Sequence, residues 1–211
     1  MLSGRYQPAS VYWFRGVQGG GFGPRQVALE EEGTKYSMAT TNAADLDGDG
    51  DLDLVIGDTS GGVFWSRNDG DRKVPRFTPR RPLQAGGDPL RVSHKSDPLP
   101  ADWDGDGVLD LLVGDEAADV VFFRGLGGLR FEPGISLFTR APVGPRWGYT
   151  QAKKALDPHR VIPGYRVRLA VADWNADGRP DLLVGNCVEG PKPEGAARGA
   201  TVGHVYVLLR R

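Results

Sequence analysis

Apolar residues in this chain come in short runs closed by glycine, and dense Asp/Gly clusters stand immediately before them. Asp53-Leu54-Val55-Ile56-Gly57, Asp110-Leu111-Leu112-Val113-Gly114 and Asp181-Leu182-Leu183-Val184-Gly185 share this form. A second class of run is β-branched and aromatic. Val63-Phe64-Trp65-Ser66-Arg67 and Val120-Val121-Phe122-Phe123-Arg124 follow the first two clusters, and Val205-Tyr206-Val207-Leu208-Leu209 follows the third, with Leu209 in place of the arginine. Val11-Tyr12-Trp13-Phe14-Arg15 is the same element without a preceding cluster. Runs of this length and composition predict short strands. No segment carries a long helical period, and Lys153–Leu156 is expected to form at most one turn.

The pattern is a repeat. The windows beginning at Asp45, Asp102 and Asp173 align without gaps and are spaced 57 and 71 residues apart. A Phe-x-Pro element recurs at Phe22, Phe77 and Phe131, spaced 55 and 54 residues. Each unit therefore supplies about four strands. The first enters the acidic cluster, as in Leu99-Pro100-Ala101, and the second leaves it. The third is the aromatic run, and the fourth carries Phe-x-Pro. Four antiparallel strands at this period predict an all-β β-propeller; a solenoid is the runner-up, but β-helix repeats are much shorter. The expected boundaries are a half blade at 5–30 and blades at 38–83, 98–140 and 166–211. Insertions are expected at 141–164 and 187–203. This gives about three blades plus the opening half blade, fewer than the four to eight that close a ring. The favoured expectation is a fragment of a longer propeller. The alternatives are self-association of copies and a small closed monomer, because an open arc leaves an unpaired edge at each end.

Composition changes the picture at one point. Lys and Arg number 26 against 27 Asp and Glu, a net charge of −1, which argues against a general polyanion binder. Yet fourteen of the acids fall in the three windows, which hold one base, Arg179, so the remaining chain carries 13 acids against 25 bases. Aspartates so crowded repel one another unless a cation neutralises them. Glycine at 31 and proline at 16 fit tight turns between strands. The single cysteine, Cys187, excludes an intrachain disulfide framework and a cysteine zinc cluster. No apolar run approaches a membrane span, and the opening residues show no signal-peptide core.

The spacing Asp-x-Asp/Asn-x-Asp-Gly-x-x-Asp suits a hard cation held by oxygen. Side chains at the first, third and fifth positions converge as the loop curls, glycine at the sixth allows the bend, the seventh offers a carbonyl and the ninth another carboxylate. Calcium fits better than magnesium, which demands stricter geometry. The expected side-chain ligands are Asp45, Asp47, Asp49 and Asp53; Asp102, Asp104, Asp106 and Asp110; and Asp173, Asn175, Asp177 and Asp181. The expected carbonyl ligands come from Asp51, Val108 and Arg179. An EF-hand is rejected, because its twelfth position needs Glu and here holds Ile56, Val113 and Val184. The third loop, with Asn175 and Pro180, is expected to bind most weakly.

These residues resemble the FG-GAP/VCBS repeat family, known from integrin α chains and many secreted bacterial proteins. The match is Asp-x-Asp-Gly-Asp-Gly-x-x-Asp-Leu-x-x-Gly plus the following Gly-x-Val-aromatic strand, over roughly residues 5 to 211, with Asn175-Ala176 departing from it. The resemblance implies a propeller with structural calcium in the loop between a blade's first two strands, about three sites in all. It also implies an extracellular, cell-surface or periplasmic setting. Family members adhere, bind glycans, scaffold or carry lyase activity. The expected function is a non-catalytic binding or scaffold module for a protein or glycan partner. A calcium-dependent polysaccharide lyase or hydrolase, or a lectin, is the alternative.

Candidate partner residues lie in the first insertion: Trp147, Tyr149, Lys153, Lys154, His159 and Arg160, a mixture suited to a glycan or acidic polymer. In an antiparallel meander both insertions are expected on the face opposite the acidic loops. Trp103 and Trp174, at the second loop position, are read as core, as are Trp13, Trp65 and Phe122. Arg15, Arg67 and Arg124 recur by unit and are read as a repeated structural contact. No nucleophile elbow, phosphate loop or zinc-protease motif is present, and His94, His159 and His204 are not paired by spacing.

Overall fold

The computed structural model describes residues 2–5, 10–30, 40–116, 119–138, 164–190, 194–195 and 199–210. The six candidate partner residues of the first insertion lie outside them, as does Lys153–Leu156. Among the described residues the chain is all β, without a helix.

Four small antiparallel sheets follow in chain order. Sheet one is β1 (Leu2–Arg5), β2 (Ser10–Gly16) and β3 (Phe22–Glu30). Sheet two is β4 (Thr40–Ala44), β5 (Asp53–Gly57), β6 (Val63–Ser66) and β7 (Arg81–Pro82). A two-residue hairpin, β8 (Gln84–Ala85) and β9 (Asp88–Pro89), connects it onward. Sheet three is β10 (Asp97–Ala101), β11 (Asp110–Gly114), β12 (Val120–Phe123) and β14 (Ile135–Ser136), while β13 (Arg130–Phe131) pairs in parallel with β8. Sheet four is β15 (Tyr165–Ala172), β16 (Asp181–Glu189) and β17 (Thr201–Leu208). Strands one to three of each unit pair in the expected order.

The sheets stack face to face through three apolar clusters. Val11 of sheet one meets Leu54 and Ile56 of β5. Val55 and Val63, on the other side of sheet two, meet Leu111, Val113, Val121 and Phe123 of sheet three. Leu112 and Val120 in turn meet Val167, Leu182 and Val184 of sheet four. The side chains of β5 and β11 are thus buried on both faces along their whole length. That is why these strands read as continuous apolar runs rather than alternating ones. Each such Leu, Ile or Val contributes about 1.5–3 kcal/mol by leaving water.

Close stacking explains the glycine that ends each run. A Cβ on Gly57 would stand 2.2 Å from the Ser96 carbonyl oxygen and 2.7 Å from Pro98 Cδ; one on Gly114 would stand 2.6 Å from Val167 Cγ1. The first strands of neighbouring sheets also bond directly. Thr40 Oγ1 donates to the Ser96 carbonyl at 2.8 Å, and Asn42 Nδ2 to the Pro98 carbonyl at 2.7 Å.

Four expectations change. Sheet one is not a pair of strands, because β1 pairs along β2 from Leu2↔Trp13 to Arg5↔Ser10. Phe-x-Pro lies in the fourth strand of no complete unit: the fourth strands are β7 and β14, a few residues later, though Phe22 does open β3. Phe131 instead packs, 4% exposed, against Leu83 and Leu90 of the connecting hairpin. Residues 187–189 and 201–203, assigned to an insertion, extend β16 and β17 through Cys187↔Gly203 to Glu189↔Thr201. Trp174 is 61% exposed and is not core, whereas Trp103 packs against the cluster between sheets three and four.

We expect Gly57→Ala to destabilise the protein by about 3 kcal/mol or more, since neither backbone can yield to the added methyl. Gly185→Ala, with nothing nearer than 3.8 Å, is expected to change stability by less than about 1 kcal/mol. Urea unfolding of the two variants checks the contrast.

Candidate metal centre

The acidic loops connect β4 to β5, β10 to β11 and β15 to β16. Each builds its curl from local hydrogen bonds. Asp45 accepts the Gly48 and Gly50 N–H groups at 2.8 and 2.9 Å, and Asp102 accepts those of Gly105 and Gly107 at 2.8 and 3.0 Å. Asp49 Oδ1 takes the Asp51 N–H, and Asp106 Oδ1 the Val108 N–H, both at 2.9 Å. The sixth-position glycines, Gly50, Gly107 and Gly178, have φ of 94°, 85° and 84°, a conformation that side chains with a Cβ rarely adopt.

This curl brings one carboxylate oxygen from each of Asp45, Asp47 and Asp49 within 4.8 Å of the others. Asp102, Asp104 and Asp106 do the same. Calcium–oxygen bonds run about 2.3–2.6 Å, so two ligand oxygens on one ion stand at most about 5.2 Å apart. The two triplets fit a calcium ion on distance and on ligand type, and can hold a metal ion.

The ninth-position carboxylates have a second task. Asp53, Asp110 and Asp181 are fully buried and lie outside the convergent triplets. Asp110 Oδ2 accepts from the Trp103 and Asp104 N–H groups at 2.8 and 3.2 Å, while Oδ1 accepts from Gly125 at 2.7 Å. Asp53 joins Leu46 N–H to Asn68 N–H, and Asp181 joins Trp174 N–H to Arg210 N–H. Each staples its loop to the residue beyond the aromatic strand. Burial pushes the Asp53 and Asp110 carboxyls above the usual aspartate value, and the backbone donors pull against it. The carbonyl-bearing residues Asp51, Val108 and Arg179 stand two positions before the staples, with Asp51 Oδ1 also 3.8 Å from Arg72 Nε.

The recurrent arginines meet the loops. Arg67 Nε lies 3.0 Å from Asp47 Oδ2 and its Nη2 3.3 Å from Asp49 Oδ2. Arg124 bridges Asp104 and Asp106 at 2.7 and 2.9 Å. The Asp51 N–H and then Arg67 hold the Asp49 carboxyl below its ordinary value. Arg15 belongs to the unit without an acidic loop and bonds the Lys73 carbonyl instead.

Loop three is a variant of the same scaffold. Asp173 accepts from Asp177 and Gly178 N–H at 3.0 and 2.9 Å. Asn175 supplies an amide where the others have a carboxylate, and its Nδ2 donates to Asp177 Oδ2 at 3.0 Å. Ala176 takes φ 59° where the other loops have Gly48 and Gly105. Leu209 removes the bridging arginine. The next residue, Arg210, crosses to the preceding loop, bonding the Trp103 carbonyl and lying 5.3 Å over its ring. Sequence reasoning missed this contact, whose only signal was the Arg after Leu209.

Repeated stacked sheets with an acidic loop at one strand connection define an all-β repeat protein. The FG-GAP-like repeat model matches residues 45–113 and 102–184, and the chain belongs to the FG-GAP-like repeat family. No curated protein matches it.

Asp110→Asn should cost about 1–3 kcal/mol, because an amide cannot accept from all three backbone donors and one buried N–H loses its partner. Ala176→Gly should stabilise by up to about 1 kcal/mol by relieving the left-handed alanine. Denaturant melts in EDTA check both.

Proposed function

We propose that the chain is a calcium-binding FG-GAP-type β-propeller module, non-catalytic, that serves as a binding or scaffold domain for a protein or glycan partner outside the cell. The observation that carries the reading is the pair of aspartate triplets at the same connection of adjacent stacked sheets. Calcium in these loops neutralises crowded carboxylates and cross-links the chain where it turns between the first two strands of a blade. Its role is structural, since the carboxylates it engages are not available as general acids or bases.

Loop three completes the set as the weakest site, with two carboxylates and one amide oxygen. Arg67 and Arg124 act as built-in counter-ions in loops one and two, holding the third and fifth carboxylates when calcium is absent and yielding them when it arrives. The extracellular setting follows from the family and from affinities expected near ~0.1–1 mM for modules of this kind. Among the described residues no helix is long and apolar enough to cross a membrane.

Thermal unfolding with calcium titrated against EDTA tests the reading. A ligand that binds only the folded state at one hundred times its Kd contributes about 2.7 kcal/mol per site. The melting temperature is expected to rise with calcium, less so in Asp47→Asn and Asp104→Asn. Arg124→Ala is expected to tighten calcium binding several-fold in a calorimetric titration, since a competing positive charge is gone. A melting temperature that ignores calcium removes the metal assignment.

A further inference from the structure

A cavity lies away from the acidic loops, where β4, β10 and β15 begin; those strands run into the loops at their other ends. Its volume is about 30 Å³, room for a water or one ligand hydroxyl but not for a sugar ring. Thr40, Asp58, Lys95, Glu116, Arg166 and Arg168 line it, so sheets two, three and four all contribute.

A buried acceptor forms part of its wall. The Glu116 side chain is 2% exposed. Its Oε1 accepts from Lys95 Nζ at 2.9 Å and stands 3.9 Å from Arg166 Nε. Its Oε2 has no hydrogen-bond partner among the described residues. A carboxylate oxygen buried in this way is costly until a donor reaches it. The repeat does not require the acid, since Thr59 and Cys187 hold its position in the other units.

The bases around it are held in a strained conformation. Lys95 and Arg166 each stand seven residues before the first aspartate of their acidic loop, Asp102 and Asp173. Both lie in the left-handed region, at φ 48° and 59°, which side chains with a Cβ avoid and which recurs at functional sites. Two successive repeats thus strain the same position and bring a base from each to one carboxylate. The other charges are matched: Arg80 stands 3.6 Å from Asp58, Arg168 stands 2.9 Å from Asp97, and Lys95 holds Glu116. Arg166 is the cation in excess within this group, with its side chain 56% exposed.

We infer that the cavity binds a hydroxy acid, whose hydroxyl enters and donates to Glu116 Oε2 while its acid group stays at the mouth on the Arg166 guanidinium. An ammonium group is disfavoured in the hydroxyl's place, because Lys95 and Arg166 already face that carboxylate. A free hydroxy acid and a uronate residue of a glycan share this chemistry. The inference deepens the binding-module reading and rests on it, and it is independent of calcium occupancy.

Ligand-observed NMR titration of the full chain with lactate and with glucuronate tests it. Acetate and glucose are the controls, each lacking one of the two groups. The expected result is saturable binding of a hydroxy acid, with acetate and glucose weaker by about tenfold or more, the loss of a hydrogen bond to a charged group. Binding of lactate marks a free acid as sufficient, and binding of glucuronate alone marks a glycan. Arg166→Gly should lose the same factor while its melting temperature in EDTA holds or rises, since glycine takes the left-handed conformation freely. Glu116→Gln should bring the hydroxy acid down to the level of its control. Binding of neither hydroxy acid, a control that binds as tightly, or binding unchanged in either variant would each overturn the inference. Glucuronate that binds both variants as it binds the native chain would overturn the cavity assignment while leaving a glycan-binding module standing.

Discussion

Everything in this molecule depends on burying both faces of the second strand of the two central units, β5 and β11. A sheet of four short strands cannot hide its apolar surface alone. Stacking solves this by making each of the two central sheets the cover for two neighbours. β5 and β11 have no exposed side chain, and the sequence pays with residues that have no polar face. The distance at which two such sheets lie is set where the strands end. At Gly57 and Gly114 the neighbouring backbone or side chain comes within the volume of a methyl group, so only glycine permits the contact. Thr40 and Asn42 then fix the sliding of one sheet on the next by bonding to carbonyls of the adjoining segment and strand.

That rigid stack is what allows the acidic loops to exist. Three aspartates within five residues would spread an unsupported turn by repulsion. Here the first carboxylate is spent on loop amides and the ninth on joining the loop to the end of the aromatic strand. Arg67 and Arg124, delivered from that same strand, reach the two carboxylates between. Local hydrogen bonding shapes the loop, and the sheet supplies the cation that steadies it. Loop three shows the converse. With Leu209 in the arginine position it carries an amide in place of one carboxylate, so loss of positive charge and loss of negative charge occur together.

Much of this was legible in the chain. The repeat, the acidic loops, the order of the first three strands and the structural part played by Arg67 and Arg124 all rest on residues close in sequence or repeated at fixed spacing. An aspartate that bonds the amide three residues on needs no distant partner, so its geometry is written locally. What the sequence could not convey is which copy of a repeated pattern is covered. Val55, Leu112 and Leu183 read alike, as do Trp103 and Trp174, yet their burial differs because it is decided by the sheet on the other side. The same holds for Phe131, drawn from the fourth strand to the hairpin at Leu83 and Leu90, and for Arg210, whose partner lies more than a hundred residues earlier. Hydrogen bonds within a turn are fixed by spacing, whereas burial is a property of two surfaces, and only the folded chain determines which surfaces meet.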